Sequence, residues 1–129
     1  MGVIYAASLR ETRMLDVATA INAGGGAAYL EVGDLGFVKT LATFTLSFPA
    51  SVVAGDVLTA LSMPKSATAS DTGTASEARL KDSGGTVVVS GLTVGTVGTN
   101  VIISPSTSIT LGQSCSLTAL TITHNSTGA

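Results

Sequence analysis

The feature that most constrains this chain is the change of apolar period near residue 27. Before it, apolar side chains recur at helical spacing. After it they recur at every second residue, in short runs stopped by Gly, Pro or Asp-Ser turns. Residues 41–48 read Leu-Ala-Thr-Phe-Thr-Leu-Ser-Phe, with Ala42, Phe44, Leu46 and Phe48 on one face and mostly Thr and Ser on the other. That alternation is the signature of a half-buried strand. Pro49 is expected to close it, because proline cannot donate to a ladder. Further strands are expected over 28–32, 57–63, 73–81, 86–90, 93–97, 101–104, 108–111 and 115–124, the 73–81 and 86–90 runs forming a hairpin across Asp82-Ser83-Gly84-Gly85. Residues 66–72 read as the most loop-like internal stretch. Short strands at this density predict a mainly β chain, a β-sandwich or jelly-roll-like domain over 27–124. Residues 125–129 form a polar tail.

One helix precedes the strands. Ser8 followed by Glu11 has the capping-box spacing. Met14, Val17, Ala18 and Ile21 then fall at i, i+3, i+4 and i+7 and lay an apolar stripe on one face. Gly24, Gly25 and Gly26 end it. The helix is therefore expected over 8–23, covering an open end or edge of the sandwich or docking on a neighbouring subunit. The 129 residues fit a single domain.

Charge narrows the function. Only 11% of residues are charged, with Lys plus Arg 6 and Asp plus Glu 8, for a net charge near −2. No basic field is available for nucleic acid or an anionic membrane. The charges run from Arg10 to Asp82, and none follows. A solvated surface normally carries many charges, so the stretch 83–129 is expected to be buried, in its own core or against other protein. No apolar run reaches the roughly 20 residues of a membrane-crossing helix. No secretory signal is read at the start, and Ala6 stands where a myristoylation motif wants Ser or Thr.

Candidate chemistry is sparse. Asp71-Thr72-Gly73 matches the triplet of aspartic proteases, which would make the chain a homodimeric protease using Asp71. Ala69 and Ser70 stand before it where such enzymes put bulky apolar residues, so a solvated turn is the better reading. The lone Cys115 rules out an internal disulfide and reads as a small buried side chain, or else as an intermolecular contact. His124 lies an odd number of residues further along the same expected strand. The two would then face opposite ways, about 30 Å apart, too far for a local thiol–imidazole pair. Glu31, Asp34, Asp56, Asp71, Glu77 and Asp82 show no ligand spacing, so no metal is expected. Gly24-Gly25-Gly26 follows a helix rather than preceding one, which makes it a stop and not a phosphate loop. No catalytic residue, cofactor or enzyme activity is predicted.

Several segments resemble small virion structural proteins of tailed bacteriophages. They are residues 41–50 (Leu-Ala-Thr-Phe-Thr-Leu-Ser-Phe-Pro-Ala), 73–87, 109–113 leading to 120–123, and the helix ending in Ala23-Gly24-Gly25. The resemblance covers roughly 10–124 and carries no catalytic motif. The 66–71 stretch is peculiar to this chain. The resemblance implies a decoration or cement protein on the head surface, made in the bacterial cytoplasm, whose partners are the major capsid protein and further copies of itself, most simply as a homotrimer. A neck, tail or fibre component is the alternative. Met14, Val17 and Ile21 on the helix and Leu117, Leu120 and Ile122 on the last strand are the expected interface residues.

Overall fold

The computed structural model describes residues 6–48, 50–55, 57–61, 63–104 and 106–123. One helix, α1 (Ala7–Ile21), precedes the strands β1 (Tyr29–Gly33), β2 (Thr40–Thr45), β3 (Ser51–Ala54), β4 (Val57–Ala60), β5 (Lys65–Thr68), β6 (Gly73–Thr74), β7 (Glu77–Lys81), β8 (Val87–Gly95), β9 (Val101–Ser104), β10 (Ser108–Ile109) and β11 (Ser114–Thr123). The chain is mainly β with one N-terminal helix, as the period change requires. Pro49, Pro105, His124 and the expected tail 125–129 lie outside the described residues.

The helix keeps its stripe but not its expected cap. Met14 and Ile21 are buried, and Val17 and Ala18 pack partly buried against the same core. The helix starts at Ala7, with Ala6 in extended geometry as its N-cap and no side-chain capping bond. Ser8 therefore falls inside the first turn, where its carbonyl accepts from Thr12 Oγ1 at 3.0 Å. Glu11, released from the capping box, accepts instead from the Gly55 amide at 3.1 Å. The helix ends at Ile21, two residues before the expected Ala23. Ala23–Gly25 form a separate turn with Gly24 at φ 86° and Gly25 at φ 73°, left-handed values suited to glycine.

The main sheet runs β2-β1-β7-β8-β9-β11-β4-β3, with β5 also on β11, while β6 and β10 pair separately. It curls so strongly that its β2 edge returns to β5. There Ser70 N donates to Leu41 O at 2.8 Å and Lys65 Nζ to Ser47 Oγ at 2.7 Å. The two halves of the curl face each other in the manner of a β-sandwich around a single apolar cluster. Across β2, β1 and β7 the register lines up Phe44–Leu30–Leu80 and Ala42–Val32–Ala78, all buried, as the core of one half. Leu58, Val101, Ile103, Leu117 and Leu120 fill the other.

Several strands depart from the alternation read in sequence. The β1–β2 register shifts between Val32 and Gly33, so adjacent Leu41 and Ala42 are both buried. The strand then ends at Thr45, and Phe48, expected on the buried face, is exposed. The expected strand 73–81 is two strands, β6 and β7, broken at Ala75-Ser76. The stretch 66–72, expected as a loop, contributes β5, whose partner supplies the pairing that its own side chains do not announce. Strands 86–90 and 93–97 merge into the single β8. The Asp82 turn forms as expected: Asp82 Oδ1 accepts from Gly84 N at 3.0 Å and Thr86 N at 2.9 Å.

The join from β8 to β9 is unusual, because these strands run parallel with only a short loop between them, where parallel neighbours ordinarily need a long crossover. Asn100 makes it possible. Its Oδ1 accepts from Thr93 N (3.2 Å) and Thr93 Oγ1 (3.0 Å), its Nδ2 donates to Thr121 O (3.3 Å), and its backbone carbonyl accepts from Thr121 N (2.9 Å). One side chain thus ties β8 to β11 across the loop. Asn100→Ala should lower stability by about 1–3 kcal/mol, read as a drop in urea midpoint with unchanged slope. No change would show that the loop closes without it.

Candidate interaction surface

The register divides the outward surface into two unlike halves. On β1 and β7 the outward rows are Tyr29–Lys81, Glu31–Arg79 and Gly33–Glu77. Arg79 Nε lies 2.6 Å and Lys81 Nζ 3.1 Å from Glu31 Oε1. Partial burial pushes the Glu31 carboxyl up, but the hydrogen bonds and charges of Arg79 and Lys81 outweigh it and hold the carboxyl below its ordinary value. The Phe37 ring covers Arg79 at 4.2 Å. Phe37 sits at φ 54°, a left-handed value that bulky residues rarely adopt. Gly33 makes room for it, since a Cβ there would fall 2.6 Å from the ring.

Among the described residues, the outward strand rows of the other half carry no charge. Reading outward across β3, β4 and β11 gives Val52–Thr59–Thr121 and Ala54–Val57–Thr123. Across β5, β11 and β9 it gives Ser66–Ser116–Ser104, with Thr68–Ser114 beside it. Every one of these residues is exposed or half-buried. Lys65 of β5 sits opposite buried Leu117 and turns its amine to Ser47, away from this face. Asp56, between β3 and β4, lies outside the described residues. The charge-free stretch 83–129 is therefore not simply buried. Its inward residues fill the core, and its outward ones on β9 and β11 are Ser and Thr, continuous with the Val, Ala, Ser and Thr of β3, β4 and β5.

The expected interface residues are placed elsewhere. Met14, Ile21, Leu117 and Leu120 retain 3% exposure or less, and Val17 and Ile122 pack partly buried against them. Their side chains complete the chain's own core. The apolar pattern finds buried faces, and nothing in it separates self-burial from burial by another subunit.

Asp71 lies half-exposed in the turn before β6, where its Oδ1 accepts from Thr72 N at 2.8 Å. Cys115 is buried, its thiol pushed up by desolvation. The expectation that odd separations face opposite ways along β11 fails at Thr118. The register skips there, so Cys115 and Leu117 before it and Leu120 after it all point inward. Among the described residues no three His, Cys, Asp or Glu side chains gather as a metal site, and no helix is long and apolar enough to cross a membrane.

Sequence reading missed a third feature. Loops 34–39, 70–72 and 110–113 converge on Thr72, whose carbonyl accepts from Lys39 Nζ (2.6 Å) and whose Oγ1 accepts from Leu111 N (2.8 Å). Leu35, Val38 and Leu111 stand out from this end at 78%, 82% and 63% exposure. Isolated aliphatic residues in separate loops carry no periodic signal, so nothing in the sequence singles these three out.

Comparison with models of protein families, with curated proteins and with solved structures gives no match.

Two measurements test this description. Because the Glu31 carboxyl is held below its unfolded value, its contribution is complete above that value and is lost as pH falls through the folded one. Glu31→Gln should cost about 1.5–3 kcal/mol near neutrality and should flatten the acid limb of a stability–pH curve, leaving wild type and variant converging at low pH. A variant curve parallel to wild type throughout would mean the pair adds nothing. For Cys115, thiol modification of the native protein should run on the order of a hundredfold slower than after denaturation. Equal rates would put the thiol at the surface.

Proposed function

We propose that this chain is a virion structural protein, a decoration or cement protein that binds the shell of major capsid protein and stabilises a phage head. It acts as a homo-oligomer, most simply a trimer seated at a local three-fold axis on the capsid surface. The observation that carries the reading is the uncharged outward face of β3, β4, β5, β9 and β11. Covering this face removes no ion from water. Its hydroxyls can exchange bonds with water for bonds with a partner at little cost, and its small side chains let another backbone come close. Faces of this kind suit an assembly of many copies better than a lone monomer. The resemblance of residues 10–124 to phage virion proteins points the same way. The mechanism is linkage: a protein that binds the assembled shell and not its separated subunits stabilises the shell.

The test uses empty heads formed from the shell protein of the same phage. The wild-type chain should sediment with the heads and raise their melting temperature. Thr59→Glu with Thr68→Glu, both at exposed positions of the uncharged face, should leave the fold intact and weaken binding at least about tenfold, since each carboxylate would be desolvated without a partner. Heads whose melting is unchanged by the wild-type protein would overturn the reading. Labelling of intact particles with gold-tagged antibody separates head from neck, tail or fibre.

A further inference from the structure

The end of the molecule around Thr72 has a build of its own. Leu35 and Val38 are not on a slack loop. Asp34 N donates to Lys39 O (3.2 Å), Lys39 N to Asp34 Oδ1 (2.9 Å) and Phe37 N to Asp34 O (2.9 Å), and the Gly36 amide donates to Glu77 Oε2. The loop is held besides by the left-handed Phe37 clamped over Gly33 and Arg79. These ties fix two aliphatic side chains in water, and Leu111 is tied to the same threonine that receives the Lys39 amine. A rigid apolar projection binds without the entropy cost of ordering a loop. The rim carries both signs. Lys39 is exposed and gives its amine to the Thr72 carbonyl, while Asp71 uses one oxygen on the Thr72 amide. Neither has an ion-pair partner among the described residues.

We infer that this end is where one copy of the chain meets another. Loop 34–39 of one copy lies against the 70–72 and 110–113 loops of the next, with Leu35 and Val38 against Leu111 and Lys39 facing Asp71. An apolar centre with a rim of both signs is complementary to itself, which is what contact between identical copies requires. Repeated from copy to copy, a head-to-tail pairing of this kind closes a ring such as the trimer proposed above. A membrane is the poorer occupant, because the acids Asp34, Asp71 and Glu77 outnumber Lys39 and the stacked Arg79 here, and the whole chain is net negative. The inference rests on the homo-oligomer of the reading above and not on its shell.

Sedimentation of the purified full-length protein tests it with no shell present. The wild type should associate with rising concentration. Lys39→Asp and Asp71→Lys alone should each weaken association at least about tenfold, and the two together should restore it to within about threefold of wild type. Leu35→Asp with Val38→Asp should stay monomeric while melting like wild type. A wild type that remains monomeric at high micromolar concentration overturns the inference, and so does an exchanged double variant that folds but does not recover. So does association undiminished in the Leu35→Asp, Val38→Asp protein. Uptake by zwitterionic or anionic vesicles without self-association would put a lipid surface in place of the second copy and overturn it as well. Heads that bind a wild-type protein found to be monomeric would leave the shell reading standing while this inference falls.

Discussion

β11 is the strand on which the second half of the fold depends. It pairs β9 along one edge and β5 and then β4 along the other, so β3, β4 and β5 join the rest of the sheet through it. Its ten residues must send Cys115, Leu117 and Leu120 inward, which a regular period of two cannot do. The irregularity at Thr118 resolves the conflict by letting one residue drop out of the ladder, with its hydroxyl donating to Ile102 O at 3.0 Å. The same skip adds local twist, and twist is what a sheet this curled needs to bring β2 back to β5. Asn100 then holds β8 to β11 where the chain changes from antiparallel to parallel pairing. A single strand with one irregularity thus sets both the inside of the core and the shape of the outside.

Much of this was legible in sequence, and what was not follows from the range of the interactions. The mainly β class, the one helix, its buried stripe, the glycine stop, the Asp82 turn and the strands 29–33, 101–104 and 114–123 all come from local patterns. The strands that went unread are those whose pattern is weak by itself. Ser51-Val-Val-Ala and Lys65-Ser-Ala-Thr alternate little, and become strands because β4 and β11 offer them partners. The departures at Leu41 and Thr118 are register shifts, which exist only between strands. The same limit applies to surfaces. Glu31 meets Arg79 across a ladder, Thr59 meets Thr121, and Lys39 and Leu111 both reach Thr72, each pairing joining residues far apart in the chain. The apolar stripe on α1 was readable, and so were its two possible uses, closing this chain's own core or docking on a neighbour, but not the choice between them.

The uneven placement of charge has a structural counterpart. Nearly all the charges of the strands gather on β1, β7 and the loops beside them, where each carboxylate has an amide or a cation near it. The opposite half has hydroxyls and methyls in its outward rows. This segregation costs solubility in a lone chain, because an uncharged face lacks the repulsion that keeps copies apart. On the proposed reading, the uncharged side is covered and the charged side wet. The ion network on β1 and β7 lies on the charged side, where partly buried Glu31 bonds Arg79 and Lys81 and ties two strands together.

The treatment of β3 sharpens which contacts remain open. Among the described residues β3 pairs only with β4, and Ser51–Ala54 contains neither charge nor proline to protect a free edge. The helix takes that role. Asn22 Oδ1 accepts from Ala50 N at 3.0 Å, and Glu11 Oε2 accepts from Gly55 N, so α1 runs antiparallel to β3 and is pinned at both ends. From Glu11 to Asn22 is about 16 Å at the helical rise, and from Ala50 to Gly55 about 17 Å of extended chain, so the two anchors match in spacing. The carboxylate with capping-box spacing in the sequence therefore satisfies an amide of the sheet and not one of its own helix. A strand flanked in this way is a poor template for another chain to extend. On the proposed reading, association is left to side chains, those of the uncharged face and those of the apolar loop end, and both can be changed residue by residue without disturbing a ladder.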